Sequence, residues 1–366
     1  MNQADDFEKY WIWLASVEGM TPKHFYTLMG DCFSAQEIFE HPQSIEKRFP
    51  RFPKSLLGRI HRAANKRCIS ELFENMEREG IAAVPAFSND FPYLLAPRCN
   101  YPPVLFYKGT LPLDWEHSVT MVGTRDATNN GLKNMEDFAC ELAQQDVLVV
   151  SGMAYGLDGA AHKGALKAGK RTVAVLGCGA DVIYPRENTA LYHEILNSGA
   201  VISQFPPGAK PKREHFPARN AVLAAITNAL IVSEGKERSG AAITCNFAEK
   251  IGKPVFAIPG DIRFSTSKLP NTLIQSGACL VQNAEDFLLE MGWKCSVPHK
   301  QKDAKKQYKL DFLAQQLYNL LLKGDLSCET AAQALDIPIE KMYAMVTEME
   351  MQGIIQTLPG NILSLK

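Results

Sequence analysis

Short apolar runs rich in β-branched residues alternate with helix-like stretches between about residues 100 and 292. The runs are SVTMVG, DVLVVSG, TVAVLG, AVISQ, NALIVSE, PVFAIPG and ACLV. Strands that are apolar on both faces and separated by helices are typical of a parallel sheet covered on both sides. We therefore predict an α/β fold with a doubly wound parallel sheet. The predicted helices lie near residues 130–144, 158–168, 187–198, 219–227, 238–251 and 284–291.

The two flanks of this region have different patterns. Apolar residues recur at helical spacing from residue 1 to about 80, which predicts a helical domain over 1–80 before an α/β domain over 81–292. The Lys-rich stretch 293–309 has the composition of a linker. Three helical patterns and a hairpin turning at Pro359-Gly360 predict a winged-helix domain over 310–366.

The third helix of that last domain is acidic. It contains three glutamates but only one lysine: Glu340, Glu348 and Glu350, and Lys341. Because phosphate binding needs a positive surface, the pattern favours a protein-contact or structural role over DNA reading.

The composition constrains the ligands and the cellular compartment of the protein. The formal net charge is −1, so nucleic-acid binding would need a local basic patch. The nine cysteines are scattered without a CxxC pair, which argues against a disulfide framework or a zinc site and for a reducing compartment. We see neither a signal-peptide pattern nor an apolar stretch of about 18 residues. We expect a cytoplasmic protein without membrane association, metal or cofactor.

The first two strand ends carry loops suited to phosphate. Gly123, Thr124 and Arg125 combine a tight turn, a hydroxyl and a bidentate cation before a helix N-terminus. A strand-to-helix turn with a surface arginine remains the alternative. The missing GxGxxG glycines argue against a dinucleotide site. Ser151-Gly152 forms the next such loop.

The helix after Ser151-Gly152 contains two titratable residues. We expect Asp158 to cap this helix at its N-terminus. His162 is interpreted as structural, because no catalytic partner is evident.

The densest basic cluster lies in the stretch 206–222. Its cations are Lys210, Lys212, Arg213 and Arg219, interleaved with Phe216 and Asn220. Cations that follow a backbone, with an aromatic ring to stack a base and an amide to bond its edge, suit single-stranded nucleic acid. A solvated basic loop is the alternative. Arg186, after Tyr184-Pro185, adds a cation, and Ser239-Gly240 opens another helix N-terminus.

At this point the motifs resemble one known family. YP…YKG (101–109), VGTR (122–125), SGMAYGLDGAAH (151–162), FPARN (216–220), SGAAIT (239–244) and FAIPG (256–260) follow one another as in the DprA/Smf DNA-processing proteins. The resemblance covers residues from about 80 to 285. It implies an extended Rossmann domain whose DNA pocket uses Arg125, Arg213 and Arg219. It also implies an N-terminal SAM- or helix-hairpin-helix-like domain and a C-terminal winged helix.

The resemblance also implies a function. Family members form homodimers, bind and protect single-stranded DNA taken up during natural transformation, and pass it to the RecA recombinase. No catalytic activity is implied, so catalytic residues are not expected.

This chain departs from the family pattern at three places. Ala221 replaces a second arginine after FPARN, Gln204 replaces a glutamate, and RFSTSKLPN replaces a Gly-rich loop before Asn271. These changes leave the affinity and the edge of the pocket open.

Three alternative functions are weighed against this one. The first is a nucleotide phosphoribohydrolase of the related lysine-decarboxylase-like Rossmann group, with Glu234 as the candidate acid. Its PGG-containing motif is missing from EGKERSGAAIT. The second is a NAD(P)-binding protein. The third is a scaffold that contacts RecA without DNA, against which the basic stretch argues.

Overall fold

A computed structural model describes residues 3–30, 34–95, 101–294, 312–321, 325–358 and 361–365. The chain divides into two compact units, Met1–Val297 and Pro298–Lys366. The division falls inside the predicted linker 293–309, most of which lies outside the described residues. The proposed domain boundaries therefore stay predictions. None of the helices described is long and apolar enough to cross a membrane.

Six helices precede the sheet. They are α1 (Gln3–Ser16), α2 (Pro22–Gly30), α3 (Ala35–Glu40), α4 (Ser44–Arg48), α5 (Lys54–Ala63) and α6 (Lys66–Glu79). Trp13, Phe25 and Ile60 are among the buried side chains of their shared core. The Trp11 indole donates a hydrogen bond of 2.8 Å to the Pro103 carbonyl, which joins α1 to the α/β part of the same unit.

Nine described strands form one sheet. They are β1 (Ala82–Pro85), β2 (Val104–Gly109), β3 (Ser118–Val122), β4 (Leu148–Ser151), β5 (Thr172–Leu176), β6 (Ala200–Ser203), β7 (Ala229–Val232), β8 (Val255–Ala257) and β9 (Cys279–Leu280). Their order is β1-β2-β6-β5-β4-β3-β7-β8-β9. The seven strands from β6 to β9 are parallel, as the buried apolar runs predict.

The sheet is longer than the seven apolar runs indicate. The segment between the N-terminal helices and β3 lies outside those runs, but part of it forms β1 and β2. These two strands pair antiparallel with each other, and β2 pairs antiparallel with β6. Strand β1 therefore forms this edge of the sheet, and β2 lies between β1 and β6.

Seven α-helices follow β3 in the first unit. They are α7 (Asn129–Gln144), α8 (Leu157–Lys167), α9 (Thr189–Ser198), α10 (His215–Ile226), α11 (Gly240–Lys250), α12 (Lys268–Gln275) and α13 (Ala284–Glu290). Helix α10 begins four residues before the predicted 219, and α12 is not predicted at all. Pro217 and Pro270 suggest loops in the sequence, yet each lies in the first turn of its helix, where the missing N–H has no intrahelical partner to lose.

Helices cover both faces of the sheet, and β3 shows why. Val119 and Met121 pack into one hydrophobic core with α7 and α8. Val122, which points the other way, packs into a second core with α10 and α11. Because successive strand residues face opposite sides, a strand buried between two cores must be apolar throughout.

The described part of the second unit contains three helices and a small antiparallel sheet. The elements are α14 (Phe312–Leu321), β10 (Leu326–Ser327), α15 (Cys328–Leu335), α16 (Ile339–Met351), β11 (Ile355–Leu358) and β12 (Ile362–Leu365). The strand order is β10-β12-β11. The predicted turn at Pro359-Gly360 lies outside the described residues, and the winged-helix identification stays a prediction.

Candidate nucleic-acid interface

The strand order reverses beside β3. The chain proceeds from β3 through β4 and β5 to β6 on one side, then returns to place β7 on the other side of β3. In doubly wound sheets, ligands bind where the order reverses, at the carboxyl ends of the strands. The predicted loops after β3, β4 and β7 all lie at this edge.

The turn after β3 is tightly packed and leaves Arg125 exposed. A Cβ at Gly123 would lie 2.2 Å from Leu157 Cδ1, so only glycine fits there. Thr124 N donates to Glu234 O at 2.7 Å, and its carbonyl accepts from Leu157 N at 3.2 Å. These bonds fix the turn to the end of β7 and to the start of α8, so the arginine extends from a rigid base.

Arg125 lies beside three aromatic rings. Its Cζ is 5.7 Å from the centre of the Phe216 ring, within cation–π range. The Tyr184 ring centre is 5.7 Å from that of Phe216. Tyr155 joins them in lining a cavity of about 20 Å³, room for about one water molecule. We call Arg125, Tyr155, Tyr184 and Phe216 the cation–aromatic platform.

Sequence reasoning left Tyr155 out of the predicted site. The sequence feature that could have indicated Tyr155 is its position between Gly152 and Gly156, in a loop that was already predicted to follow a strand. Tyr155 and Tyr184 are each 39% exposed. Large aromatic side chains that remain exposed among glycines are available to a ligand.

Arg219 lies beneath the platform. It is 5% exposed, and its Nη1 donates to the carbonyls of Gly152 at 2.6 Å and Val175 at 2.8 Å. It therefore joins the loop after β4 to the end of β5. Arg219 also lines the cavity at the platform, and its predicted phosphate contact stays a prediction.

Gly152 makes room for this arginine. A Cβ there would lie 2.1 Å from Arg219 Nη1 and 2.6 Å from Asp158 Oδ2. Burial raises the pKa of Asp158, an effect that the Arg219 charge opposes. Asp158 is not the N-cap of α8, because Gly156 occupies that position. The Asp158 carboxylate instead accepts a 3.4 Å hydrogen bond from Ala154 N.

Two more predicted contacts belong to this buried layer. The Ser151 hydroxyl is fully buried and donates to Met121 O at 2.6 Å. Asn220 accepts from Arg219 Nε at 3.0 Å and donates to Gly240 O at 3.1 Å. Both side chains join neighbouring loops, and their predicted DNA contacts stay predictions. We call Ser151, Gly152, Asp158, Arg219 and Asn220 the support layer.

The remaining predicted cations are exposed. Lys212 and Arg213 stand just before α10, where helix N–H groups and the helix dipole favour anions. Lys212 Nζ lies 3.1 Å from Glu18 Oε1. Arg186 is exposed within the short 3₁₀ turn Arg186–Asn188. Ser239 caps α11 by accepting from Ala242 N at 3.2 Å, so a phosphate contact at Ser239 and Gly240 stays a prediction.

Glu234 and His162 are both engaged in the fold. Glu234 accepts from Thr128 N at 2.9 Å and from the Thr128 hydroxyl, which strengthens the cap of α7. His162 is buried, and its Nδ1 lies 2.7 Å from Thr172 Oγ1. Burial lowers the pKa of His162 to about 3. These contacts give both side chains a structural role in the fold.

No group of three or more His, Cys, Asp or Glu residues within the described ranges could hold a metal ion.

Comparison with known proteins agrees with the motifs. The family model for DNA recombination-mediator protein A matches residues 82–292. The chain is 42% identical to the DNA processing protein DprA of Streptococcus pneumoniae over 209 residues, covering 56% of this chain and 74% of that protein. It is 30% identical to protein Smf of Escherichia coli over 296 residues, covering 80% and 79%.

Two solved structures are also similar. DprA of Streptococcus pneumoniae superposes with a TM-score of 0.65 at 32% identity, covering 77% of this chain and 97% of that one. DNA processing protein A of Helicobacter pylori, whose structure is described for its single-stranded DNA binding mode, gives a TM-score of 0.53 at 27% identity. That match covers 58% of this chain and 97% of the other.

Proposed function

The chain belongs to the DprA/Smf family of DNA recombination-mediator proteins, and we propose that it binds single-stranded DNA across the cation–aromatic platform. The observation that carries this proposal is the pairing of exposed Arg125 with the half-buried Phe216 ring where the strand order reverses. The Helicobacter pylori relative, described as a single-stranded DNA binder, supports it.

The chemistry of the platform suits an unpaired strand. A base is free to stack on Phe216, Tyr184 or Tyr155 only when it is not already stacked inside a duplex. Arg125 binds the adjoining phosphate, and Lys212 and Arg213 extend the positive surface to the start of α10. The strand would therefore run from the loop after β3 toward the N-terminus of α10.

Further steps belong to the same proposal. The bound strand would be protected from degradation and passed to the RecA recombinase during natural transformation, by a homodimer in the cytoplasm. The family resemblance supports these steps. Light scattering tests the dimer, and assembly of RecA on oligonucleotides coated with single-strand-binding protein tests the transfer.

The first experiment measures binding of a fluorescent single-stranded oligonucleotide by anisotropy, with a duplex of the same sequence as a control. Wild type is compared with Arg125→Ala/Arg213→Ala over a salt series. Each phosphate contact contributes about −0.7 to the slope of log affinity against log salt for single strands. We expect a preference for the single strand, and weaker binding with a shallower salt slope in the double variant.

The matched control is Arg171→Ala. Arg171 is an exposed arginine directly before β5. It lies at the amino ends of the parallel strands, whereas the platform lies at their carboxyl ends. Its replacement should leave affinity and slope unchanged. Equal affinity of wild type and the double variant would contradict the proposed site, and equal affinity for duplex and single strand would contradict the proposed substrate.

A further inference from the structure

A second and larger cavity lies between the N-terminal helices and the sheet. Its volume is about 740 Å³, within the range of small-molecule sites. One wall comes from the end of α1 and from α5, and the other from the loop that follows β6 and from the start of α10. It shares no lining residue with the cavity at the platform.

Two buried donors, one in each wall, lack a hydrogen-bond partner within the described residues. Arg59 Nε and Gln204 Nε2 have no hydrogen-bond partner among the described residues. Buried polar atoms are nearly always hydrogen-bonded, and exceptions mark sites where another group is needed. Both atoms are hydrogen-bond donors, so a ligand that bonds to them must supply acceptor oxygens.

The backbone at Gly19 leaves space for the Arg59 guanidinium beside the cavity. Gly19 has φ of +81°, and a Cβ there would lie 2.6 Å from Arg59 Nη2. The guanidinium therefore rests directly on the Gly19 backbone, where a side chain would displace it. Both residues line the cavity.

The charge of the lining favours an anion. Its cations are Arg59, Lys210 and Lys212, and its acids are Glu18 and Glu214. Glu18 is paired with Lys212 at 3.1 Å, whereas Lys210 is exposed and has no ion-pair partner within the described part of the chain.

Flat apolar groups complete the cavity. The Phe205 and His215 rings, both in the lining, stack with centres 3.9 Å apart and planes inclined by 16°. Pro102, Pro103 and Met20 line it as well. A planar base packs well on such surfaces.

We propose that this cavity is a second ligand site and binds a nucleotide. The phosphate accepts hydrogen bonds from Arg59, Gln204 and Lys210, and the base packs beside the Phe205–His215 pair. The same chemistry is presented by a free mononucleotide and by one nucleotide of a bound strand. The proposal does not depend on DNA binding at the platform.

Isothermal titration of the full chain with dAMP tests the site, with deoxyadenosine and inorganic phosphate as comparisons. We expect dAMP to bind more tightly than either fragment. Arg59→Ala should weaken dAMP binding by about tenfold or more, the effect of losing a charge-assisted hydrogen bond. The matched control is Arg62→Ala, an exposed arginine of α5 outside the lining, which should bind dAMP as wild type does.

Gln204→Glu provides a second variant of equal size. It places a carboxylate where the phosphate is expected, so it should abolish dAMP binding even if Arg59→Ala fails to fold. The proposal is overturned if wild type does not bind dAMP, or if both Arg59→Ala and Gln204→Glu bind it with unchanged affinity.

Competition separates the two sources of the nucleotide. If a saturating single-stranded oligonucleotide displaces dAMP, the cavity takes part of the strand. If both bind together, the site serves a free nucleotide. Repeating the titration with Arg125→Ala keeps the two sites apart, because dAMP should still bind when the platform has lost its cation. A protein that binds dAMP but no oligonucleotide would support this cavity and contradict only the proposed function.

Discussion

The cation–aromatic platform and the support layer come from the same sequence motifs but differ in exposure. Arg125 and Arg219 approach the Phe216 ring at nearly equal distances, 5.7 and 5.8 Å. Arg125 is exposed and available to a phosphate, whereas Arg219 is buried and bonds two backbone carbonyls. Charge and proximity therefore do not distinguish the two arginines. Burial does, because the arginine that we propose to bind phosphate is exposed and the one that joins two loops is buried.

The largest expected effect is a difference in protein stability between the alanine variants of Arg219 and Arg125. Arg219→Ala removes the bonds to Gly152 and Val175 and leaves Asp158 buried without its neighbouring cation. We expect the free energy of unfolding, measured by urea denaturation at pH 7, to fall by about 3–5 kcal/mol, because two carbonyls lose a charged donor and a buried carboxylate loses a nearby positive charge. Arg125→Ala is the control and should change it by less than about 0.5 kcal/mol. Equal stability of the two variants would contradict the supporting role that we give to Arg219.

The next effect concerns binding. Phe216→Ala should weaken single-stranded DNA binding by about 1–3 kcal/mol, the contribution of one stacked base, and destabilise the fold less than Arg219→Ala does. Phe216→Trp, which keeps a stacking surface, should retain most of the affinity in the same anisotropy assay. If both variants bind alike, the ring does not stack a base.

A third prediction uses the pH dependence of the buried region. His162 has its folded-state pKa lowered from 6.5 to about 3 by burial. The unfolded chain thus takes up this proton first as the pH falls. The stability due to neutral His162 is present above about pH 6.5 and is lost toward pH 3, by about 1.4 kcal/mol per pH unit.

Urea denaturation between pH 7 and pH 4 checks this slope. His162→Asn keeps a donor for Thr172 but no proton that titrates here, so its stability should depend less steeply on pH. Asp158 has a raised pKa and acts in the opposite sense, but it is present in both proteins and its contribution cancels in the comparison. His193→Asn, at an exposed position of α9, should keep the wild-type slope.

The smallest effect tests the exposed surface. Lys212 is paired with Glu18, and the two side chains are 45% and 73% exposed. Such pairs contribute about 0.2–1 kcal/mol. Glu18→Ala should free Lys212 and raise single-stranded DNA affinity by at most about fivefold at low salt, with the gain fading as salt screens the charges. Glu8→Ala, an exposed acid of α1, serves as the control. A gain that persists at high salt would show that charge is not the cause.

Much of the fold was predictable because its signals are local. The parallel strands follow from apolar runs, and the phosphate-suited turn at Gly123 follows from its place directly after β3. Helix α12 was missed because Pro270 suggests a loop, and β2 was missed because it precedes the region where apolar runs alternate with helices, in a segment rich in prolines and aromatic residues.

Within the candidate site, the sequence correctly predicted the loops but not the orientation of each side chain. It placed Arg125 and Phe216 at the sheet edge, and the structure brings them together. It could not distinguish Arg219 from Arg125, because residue type is the same and the partners of Arg219 lie far along the chain. The Gly152 carbonyl that Arg219 binds is 67 residues away.

The sequence by itself determined the class of fold, the order of the motifs at the strand ends and the family, because periodicity and motif spacing are written in neighbouring residues. Only the tertiary structure decided which polar side chains are exposed. The packing of α10 against the ends of β4 and β5 buries Arg219 and Asn220, and the approach of α5 to the loop after β6 brings Arg59 and Gln204 to opposite walls of one cavity. Burial and pairing depend on contacts between distant segments, which no local pattern specifies.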